Sequence, residues 1–215
     1  MKLYLYDHCP FCVRARMIFG LRAVPVENIY LLNDDEDTPI SLIGVKQVPI
    51  LEKPDGTVMG ESLDIVRFVD EYAGGDRLDE QVRPTVQTWL RKVGQYGNKL
   101  VQPRDVLLGL PEFATQEAVD YFVRKKEAAI GDFQNHLANT PEYLAYLHDG
   151  LAELVPLLLS EHALNGQVGM EDILLFPLLR NLTMVRGLVL PQAVGRYVEN
   201  MSKQSGVPLY VDRAL

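Results

Sequence analysis

Cys9-Pro10-Phe11-Cys12, preceded by Lys2-Leu3-Tyr4-Leu5-Tyr6 and followed by Val13 to Leu21, holds both cysteines of the 215-residue chain. The residues before Asp7-His8 alternate as a short strand, whereas Phe11, Val13, Ile18, Phe19 and Leu21 recur at helical spacing. A proline in the first helical position has its φ already set and lacks only an N–H that would go unpaired, so Cys9 becomes the N-cap. Its sulfur then meets the free N–H groups of Phe11 and Cys12, which favour a thiolate. Moving a cysteine from its free value to about 5.5 takes about 4 kcal/mol, and the helix dipole supplies about 0.3–2 kcal/mol. The remainder falls to hydrogen bonds from those N–H groups and from the Cys12 thiol, each worth about 1.5–3 kcal/mol to a charged acceptor. His8, Arg14 and Arg16 could add charge, although Arg14 and Arg16 sit further down the helix, where such residues are ordinarily solvated.

A CxxC pair can also be half a zinc site, a structural disulfide or two buried thiols. Structural zinc wants a second CxxC or a close histidine pair, and His8, His136, His148 and His162 offer none. So short a loop gains little from a disulfide staple. Redox chemistry is the reading that remains, with no metal.

The flanking sequence extends the pattern. Val26 to Leu31 reads as a second strand, giving a right-handed parallel βαβ unit. Thr38-Pro39 opens a short helix as N-cap and first residue, ending near Gly44. Pro49 to Glu52 and Thr57 to Met59 read as strands around a Pro54-Asp55-Gly56 turn. Ser62 caps a helix whose apolar face is Leu63, Ile65, Val66 and Val69, closing at Gly74-Gly75. The order is βαβαββα over residues 1–75. Residues 76–85 read as a polar linker, and 86–215 as all helix: one segment from Val86 through Leu100, one from Thr115 through Leu137, one from Thr140-Pro141 to Asn165-Gly166, one from Glu171 to Gly187 and one from Pro191 to about Gln204. In the fourth of these, Pro177 implies a kink, Asp172 reads as N-terminal capping, and the rest as core.

A 47% hydrophobic composition suffices for packed cores. No apolar run approaches the roughly 20 residues of a bilayer span, so no membrane anchor is expected. The N-terminus lacks the regions of a signal peptide, and with one cysteine pair a reducing cytoplasm is the expected compartment. A net charge of −8 argues against nucleic acid or anionic membrane as partner. The acidic run Asp34-Asp35-Glu36-Asp37 reads as a solvated loop entering a helix. Glu61-Ser62 at a helix N-terminus could hold the carboxylate and ammonium of an amino-acid end, or be an ordinary cap.

The chain resembles the glutathione-transferase-like superfamily, and more closely the bacterial glutaredoxin 2 family. The resemblance runs nearly end to end, through CPFCVRARMIFG, LLNDDEDTP, the VPIL and ES elements, WLRKV, RKKEA with NHLA, and DILLFPLLRNLTMV. It implies a thioredoxin-like N-terminal domain, an all-helical glutathione-transferase-like C-terminal domain, and glutathione as cosubstrate with no bound cofactor. It implies Cys9 as nucleophile, Cys12 as resolving thiol, the two as a redox-active disulfide, and glutathione contacts at Cys9, Phe11, Val48, Pro49, Glu61 and Ser62. Val48-Pro49 would be a cis peptide facing the sulfur, leaving the Val48 N–H and C=O to pair with an extended peptide. The implied partners are disulfide-containing or glutathionylated proteins, and the implied state a monomer. Two features depart from the family pattern. Phe11 stands where tyrosine is common, and Gly169, three residues before Asp172, stands where serine or threonine usually completes a capping box. Two other functions share the scaffold: a glutathione transferase, which would not need Cys12, and a non-enzymatic binding module. A glutathione-bridged iron–sulfur cluster is a third possibility.

Overall fold

The computed structural model describes all 215 residues. The first part contains β1 (Lys2–Leu5), α1 (Pro10–Leu21), β2 (Glu27–Tyr30), α2 (Asp37–Ile43), β3 (Ile50–Glu52), β4 (Val58–Met59) and α3 (Ser62–Ala73). The expected βαβαββα order is present. The strands form one sheet in the order β2-β1-β3-β4, with β1 and β2 parallel and the other pairs antiparallel. Leu3 on β1 faces Asn28 on one side and Leu51 on the other.

The second part is helical: α4 (Pro84–Asp105), α5 (Gln116–Ile130), α6 (Phe133–Ala138), α7 (Thr140–Leu154), α8 (Met170–Leu182) and α9 (Gln192–Ser205), with short 3-10 turns at Pro111–Phe113, Val155–Leu157 and Val211–Arg213. Three helical segments of this second part differ from the sequence expectation. The segment from Thr115 to Leu137 is two helices, because Gly131 turns the chain at φ +95° and Asp132 starts anew by accepting the Asn135 N–H at 2.7 Å. The segment from Thr140 ends at Leu154, where Pro156 enters a 3-10 turn, and residues 158–164 are closed by the Leu159 N–H bonding to Leu164 C=O at 2.9 Å. The helix around Pro177 stops at Leu182 rather than Gly187, with the Thr183 hydroxyl donating to the Arg180 C=O at 2.6 Å. The short helix α2 also opens two residues before Pro39, at Asp37 with Glu36 as N-cap, while Asp35 Oδ1 accepts the Thr38 N–H at 2.9 Å.

Helix α1 is the shared wall of the two parts. It lies beside α3 and also meets α8 and α9, and its Cys12, Val13, Ala15, Met17 and Ile18 have no exposure. One continuous apolar core runs from Leu3 and Leu5 through α1 into α4, α8 and α9. At the α1–α9 crossing, a Cβ on Gly20 would collide with the Ser205 carbonyl, so glycine is what lets the helices approach. Polar clasps reinforce the wall. Arg180, fully buried on α8, donates to the Asp7 backbone C=O at 2.7 Å and Asp7 Oδ1 at 2.5 Å, and stacks on Tyr210 at 3.9 Å. Between α3 and α4 the chain is strapped down by Asp70 to the Leu78 N–H and by an Arg83–Glu171 ion pair. No helix is long and apolar enough to cross a membrane.

Candidate active site

Cys9 is the N-cap of α1 with extended backbone (φ −69°, ψ 117°), Pro10 follows at the first helical position, and the Val13 N–H donates to the Cys9 C=O at 3.0 Å. The N-cap position and the proline after it are those expected from the sequence, whereas the Cys9 side chain makes no cap hydrogen bond of its own. Both cysteines are free thiols. Cys9 is 9% exposed and Cys12 is sealed beneath it, its sulfur accepting the Tyr6 N–H at 3.4 Å. A hydrogen bond from the Cys12 side chain, the positive charge of His8 and the N–H groups of Cys12 and Phe11 together outweigh burial and lower Cys9 to about 6. Burial first, then the bond to Cys9 and its negative charge, push the Cys12 thiol up. The pair is therefore split into a ready thiolate and a held thiol.

Cys9 opens onto a cleft of about 450 Å³ between the two parts of the molecule. Phe11 and Val48 line it from the first part, and Val101, Gln102 and Asp105 of α4 from the second. Phe11 is half-exposed, with the Arg14 guanidinium 4.7 Å above its ring. Val48-Pro49 is cis; Val48 is half-buried and Pro49 buried. The Val48 N–H and C=O bond to no other backbone group. Glu61 and Ser62 are not in the cleft wall itself; Gln47, which is, donates from Nε2 to Glu61 Oε1 at 2.9 Å. The cap of α3 is Glu61 rather than Ser62, and neither side chain caps by a hydrogen bond. Ser62 is the first helical residue, so its own N–H is among the unpaired donors. Glu61 sits at φ +61°, a conformation uncommon for a residue with a side chain and one that clusters at binding sites.

The expectation for Asp172 is met by one half of a capping box. Asp172 Oδ2 accepts the Gly169 N–H at 2.9 Å while Oδ1 takes the Leu164 N–H and the Tyr197 hydroxyl, and Gly169 has no side chain to reciprocate.

Around His8, which the sequence offers as a charge for Cys9, the structure gathers residues that carry no local signal. His8 is 8% exposed, its ring stacked on Phe113 at 5.1 Å and edge-on to Phe122 at 5.2 Å. Glu112, from a 3-10 turn of the helical part, lies 2.5 Å from His8 Nδ1 and accepts the His8 N–H at 2.9 Å. Asn181 Nδ2 donates to the His8 C=O. Lys46 Nζ donates to the Asn33 C=O at 2.7 Å and stands 3.7 Å over the Tyr121 ring. His8 neighbours Cys9 in sequence and was a visible candidate; for Glu112, Asn181 and Tyr121 no local signal existed.

A four-stranded mixed sheet whose first helix has a cysteine as N-cap, joined through that helix to an all-helical half, defines the glutathione-transferase-like class, here with a dithiol at the cleft between the two parts. Residues 3–77 match the family described as "Glutathione S-transferase, N-terminal domain", and residues 85–214 the one described as "Glutaredoxin 2, C terminal domain". The chain is 47% identical to glutaredoxin 2 of Escherichia coli (strain K12) over 215 residues, the full length of both. The structure of glutaredoxin 2 from Salmonella typhimurium in complex with glutathione superposes with a TM-score of 0.97, at 48% identity, covering 100% of this chain and 98% of that one. Glutathione transferase GSTFuA3 from Phanerochaete chrysosporium, at 14% identity and a TM-score of 0.72 over 94% of this chain and 96% of that one, shares the fold alone. The chain belongs to the glutaredoxin 2 family. It is thus a glutathione-dependent thiol–disulfide oxidoreductase, with glutathione as cosubstrate.

Proposed function

We propose that Cys9 is the attacking thiolate and Cys12 the resolving thiol, and that the substrates are protein disulfides and glutathionylated proteins. The observation that carries this reading is the division of the pair: Cys9 is lowered to about 6 at the mouth of the cleft, while Cys12 is held protonated below. The Cys9 thiolate attacks one sulfur of the substrate disulfide, forming a mixed disulfide and releasing the other half as a thiolate. Formation of that bond removes the negative charge that raises Cys12. Cys12 then attacks the Cys9 sulfur, its proton passing to the second substrate thiolate as that group leaves as a thiol, and Cys9-Cys12 remains as a disulfide. One glutathione opens this bond to a Cys9–glutathione mixed disulfide, and a second displaces it as oxidised glutathione. With a glutathionylated substrate, solution glutathione can resolve the first adduct without Cys12.

In this reading glutathione lies across Val48, whose unengaged N–H and C=O suit the backbone of its cysteinyl residue. Its γ-glutamyl end meets the α3 N-terminus, with the free N–H groups and hydroxyl of Ser62 for the carboxylate and Glu61 for the ammonium. Phe11 and Pro49 supply apolar wall. We assign residues 1–75 to the thioredoxin-like domain, 76–85 to the linker and 86–215 to the helical domain, and a monomer in the cytoplasm as the working state, where the free dithiol stays reduced. The test is Cys9→Ser in a coupled assay of a glutathione mixed disulfide with glutathione, glutathione reductase and NADPH. All turnover is lost with the fold intact; residual activity above a few per cent rejects Cys9 as nucleophile.

A further inference from the structure

The helical part reaches the thiolate through one turn. Pro111–Phe113 lies between α4 and α5, and its Glu112 has no exposure. Glu112 grips the residue before the nucleophile twice, with Oε1 accepting the His8 N–H at 2.9 Å and facing Nδ1 at 2.5 Å. Its own backbone C=O accepts the Asn33 N–H at 2.8 Å, which fixes the turn against the first part of the chain. The imidazole is enclosed by rings, with Tyr6 stacked at 5.8 Å, Phe113 at 5.1 Å and Phe122 edge-on at 5.2 Å. An imidazole buried among rings is ordinarily neutral, and a carboxylate buried alone is ordinarily protonated, because each charge costs several kcal/mol to desolvate. Placed 2.5 Å apart they keep each other ionised. Glu112 Oε2 has no partner, and neither has Asp105 Oδ1, a second fully buried carboxylate, on α4. The cluster thus offers more acceptors than donors, and His8 is the cation it surrounds.

We propose that Glu112 is a positioning residue for the thiol chemistry: from the helical domain it holds a protonated His8 beside Cys9, and the imidazolium in turn stabilises the Cys9 thiolate. The inference rests on Cys9 being the thiolate nucleophile.

The charged surroundings agree. Against burial, Asp105 and Glu112 raise His8 to about 9, so it stays a cation throughout the titration of Cys9 near 6. Burial pushes Asp105 up to about 7 while the His8 charge holds it down, and Lys126 of α5 adds a further positive charge near Asp105. On the other sides, Asp7 is already paired with Arg180 of α8 and Arg16 of α1, and Cys12 of α1 lies buried beneath the nucleophile. Of these groups, only His8 is both adjacent to Cys9 in the chain and bonded to a carboxylate of the helical domain.

The experiment measures iodoacetamide alkylation of Cys9 against pH by mass spectrometry in full-length reduced protein, for wild type, Glu112→Gln, His8→Gln and the double variant. Glu112→Gln keeps the shape and an oxygen for the His8 N–H, so it alters charge without opening a cavity. The expected result is a rise of the Cys9 midpoint by roughly one unit in Glu112→Gln, the size of one close opposite charge. His8→Gln gives a similar rise, and the double variant no more than His8→Gln alone. An unchanged midpoint in Glu112→Gln overturns the proposal, as does a Glu112→Gln shift that persists in full on the His8→Gln background. In wild-type protein at pH 7.5 the His8 ring resonances must be those of an imidazolium; a neutral ring overturns the proposal without any variant. If instead alkylation near pH 6 survives Cys9→Ser, it is the assignment of the nucleophile that fails.

Discussion

Replacing Cys12 by alanine and by serine separates two roles that one residue can hold. Cys9 is lowered from 9.0 to about 6, with the bond from Cys12 as its largest cause; three units correspond to about 4 kcal/mol. Cys9 is 9% exposed, so solvent screens the bond little. One hydrogen bond to a charged acceptor is worth about 1.5–3 kcal/mol, or about one to two units. Cys12→Ala deletes the donor, and the Cys9 midpoint should move to about 7–8. Cys12→Ser keeps a hydroxyl donor in the same place and should stay within about half a unit of wild type. The alkylation profile reads both. In the coupled assay Cys12→Ser should keep a substantial part of its deglutathionylation, since a second glutathione can resolve the adduct. It should lose most reduction of protein disulfides, where an adjacent thiol has an effective concentration no solution thiol matches, and covalent complexes should accumulate on non-reducing gels. Coincident alkylation curves for Cys12→Ala and wild type would falsify the bond as the source of activation. Equal loss of both activities in Cys12→Ser, with a shifted midpoint, would make Cys12 an activator and not a resolver.

Ser62→Ala and Glu61→Gln should each raise the KM for glutathione by about ten- to a hundredfold, the value of one charged hydrogen bond; unchanged kinetics with a lower Tm would reduce the pair to an ordinary helix start. Arg180→Met leaves the Asp7 carboxylate, 14% exposed, with Arg16 as its only ion pair beside the Tyr210 hydroxyl, and removing one partner of a buried pair costs about 3–5 kcal/mol. The Tm should fall on the order of 10 °C at neutral pH, and no fall would mean the clasp is idle. Against burial, Arg180 and Arg16 lower Asp7 from 3.8 to about 2. A depressed carboxyl stabilises the fold above its unfolded value, and that contribution fades as pH drops through the folded one. The Tm gap between Arg180→Met and wild type should therefore narrow between about pH 4 and 2.

Legibility from sequence followed the range of the interaction. The N-cap at Cys9, the proline after it and the order of elements in the first part follow from neighbours a few residues apart, whereas the cis Val48-Pro49 bond is legible only through the resemblance. Thr115 to Leu137 looked continuous because Phe133 and Leu137 keep helical spacing across the break; Gly131 followed by Asp132 was the available stop-and-start signal. Pro156 was likewise a stop signal inside the Thr140 helix. Ser62 is the favoured cap type, whereas the chain takes its turn at Glu61 with a positive φ that no propensity predicts. Glu112, Asp105 and Asn181 could not be read at all. Glu112 is 104 residues from His8, and only the packing of α4, α5 and α8 around the α1 entrance brings the acids and the amide to it.

That separation also has a meaning in time. Translation proceeds at about 5–20 residues per second, so Glu112 is made about 5–20 s after His8. For that interval the nascent chain carries its CxxC pair without the carboxylate partner of His8, and the sulfur next to it is closer to an ordinary thiol. Until Glu112 arrives, Cys9 has the Cys12 thiol and the N–H groups at the start of α1 to lower it, and only the share that runs through His8 waits for the later half.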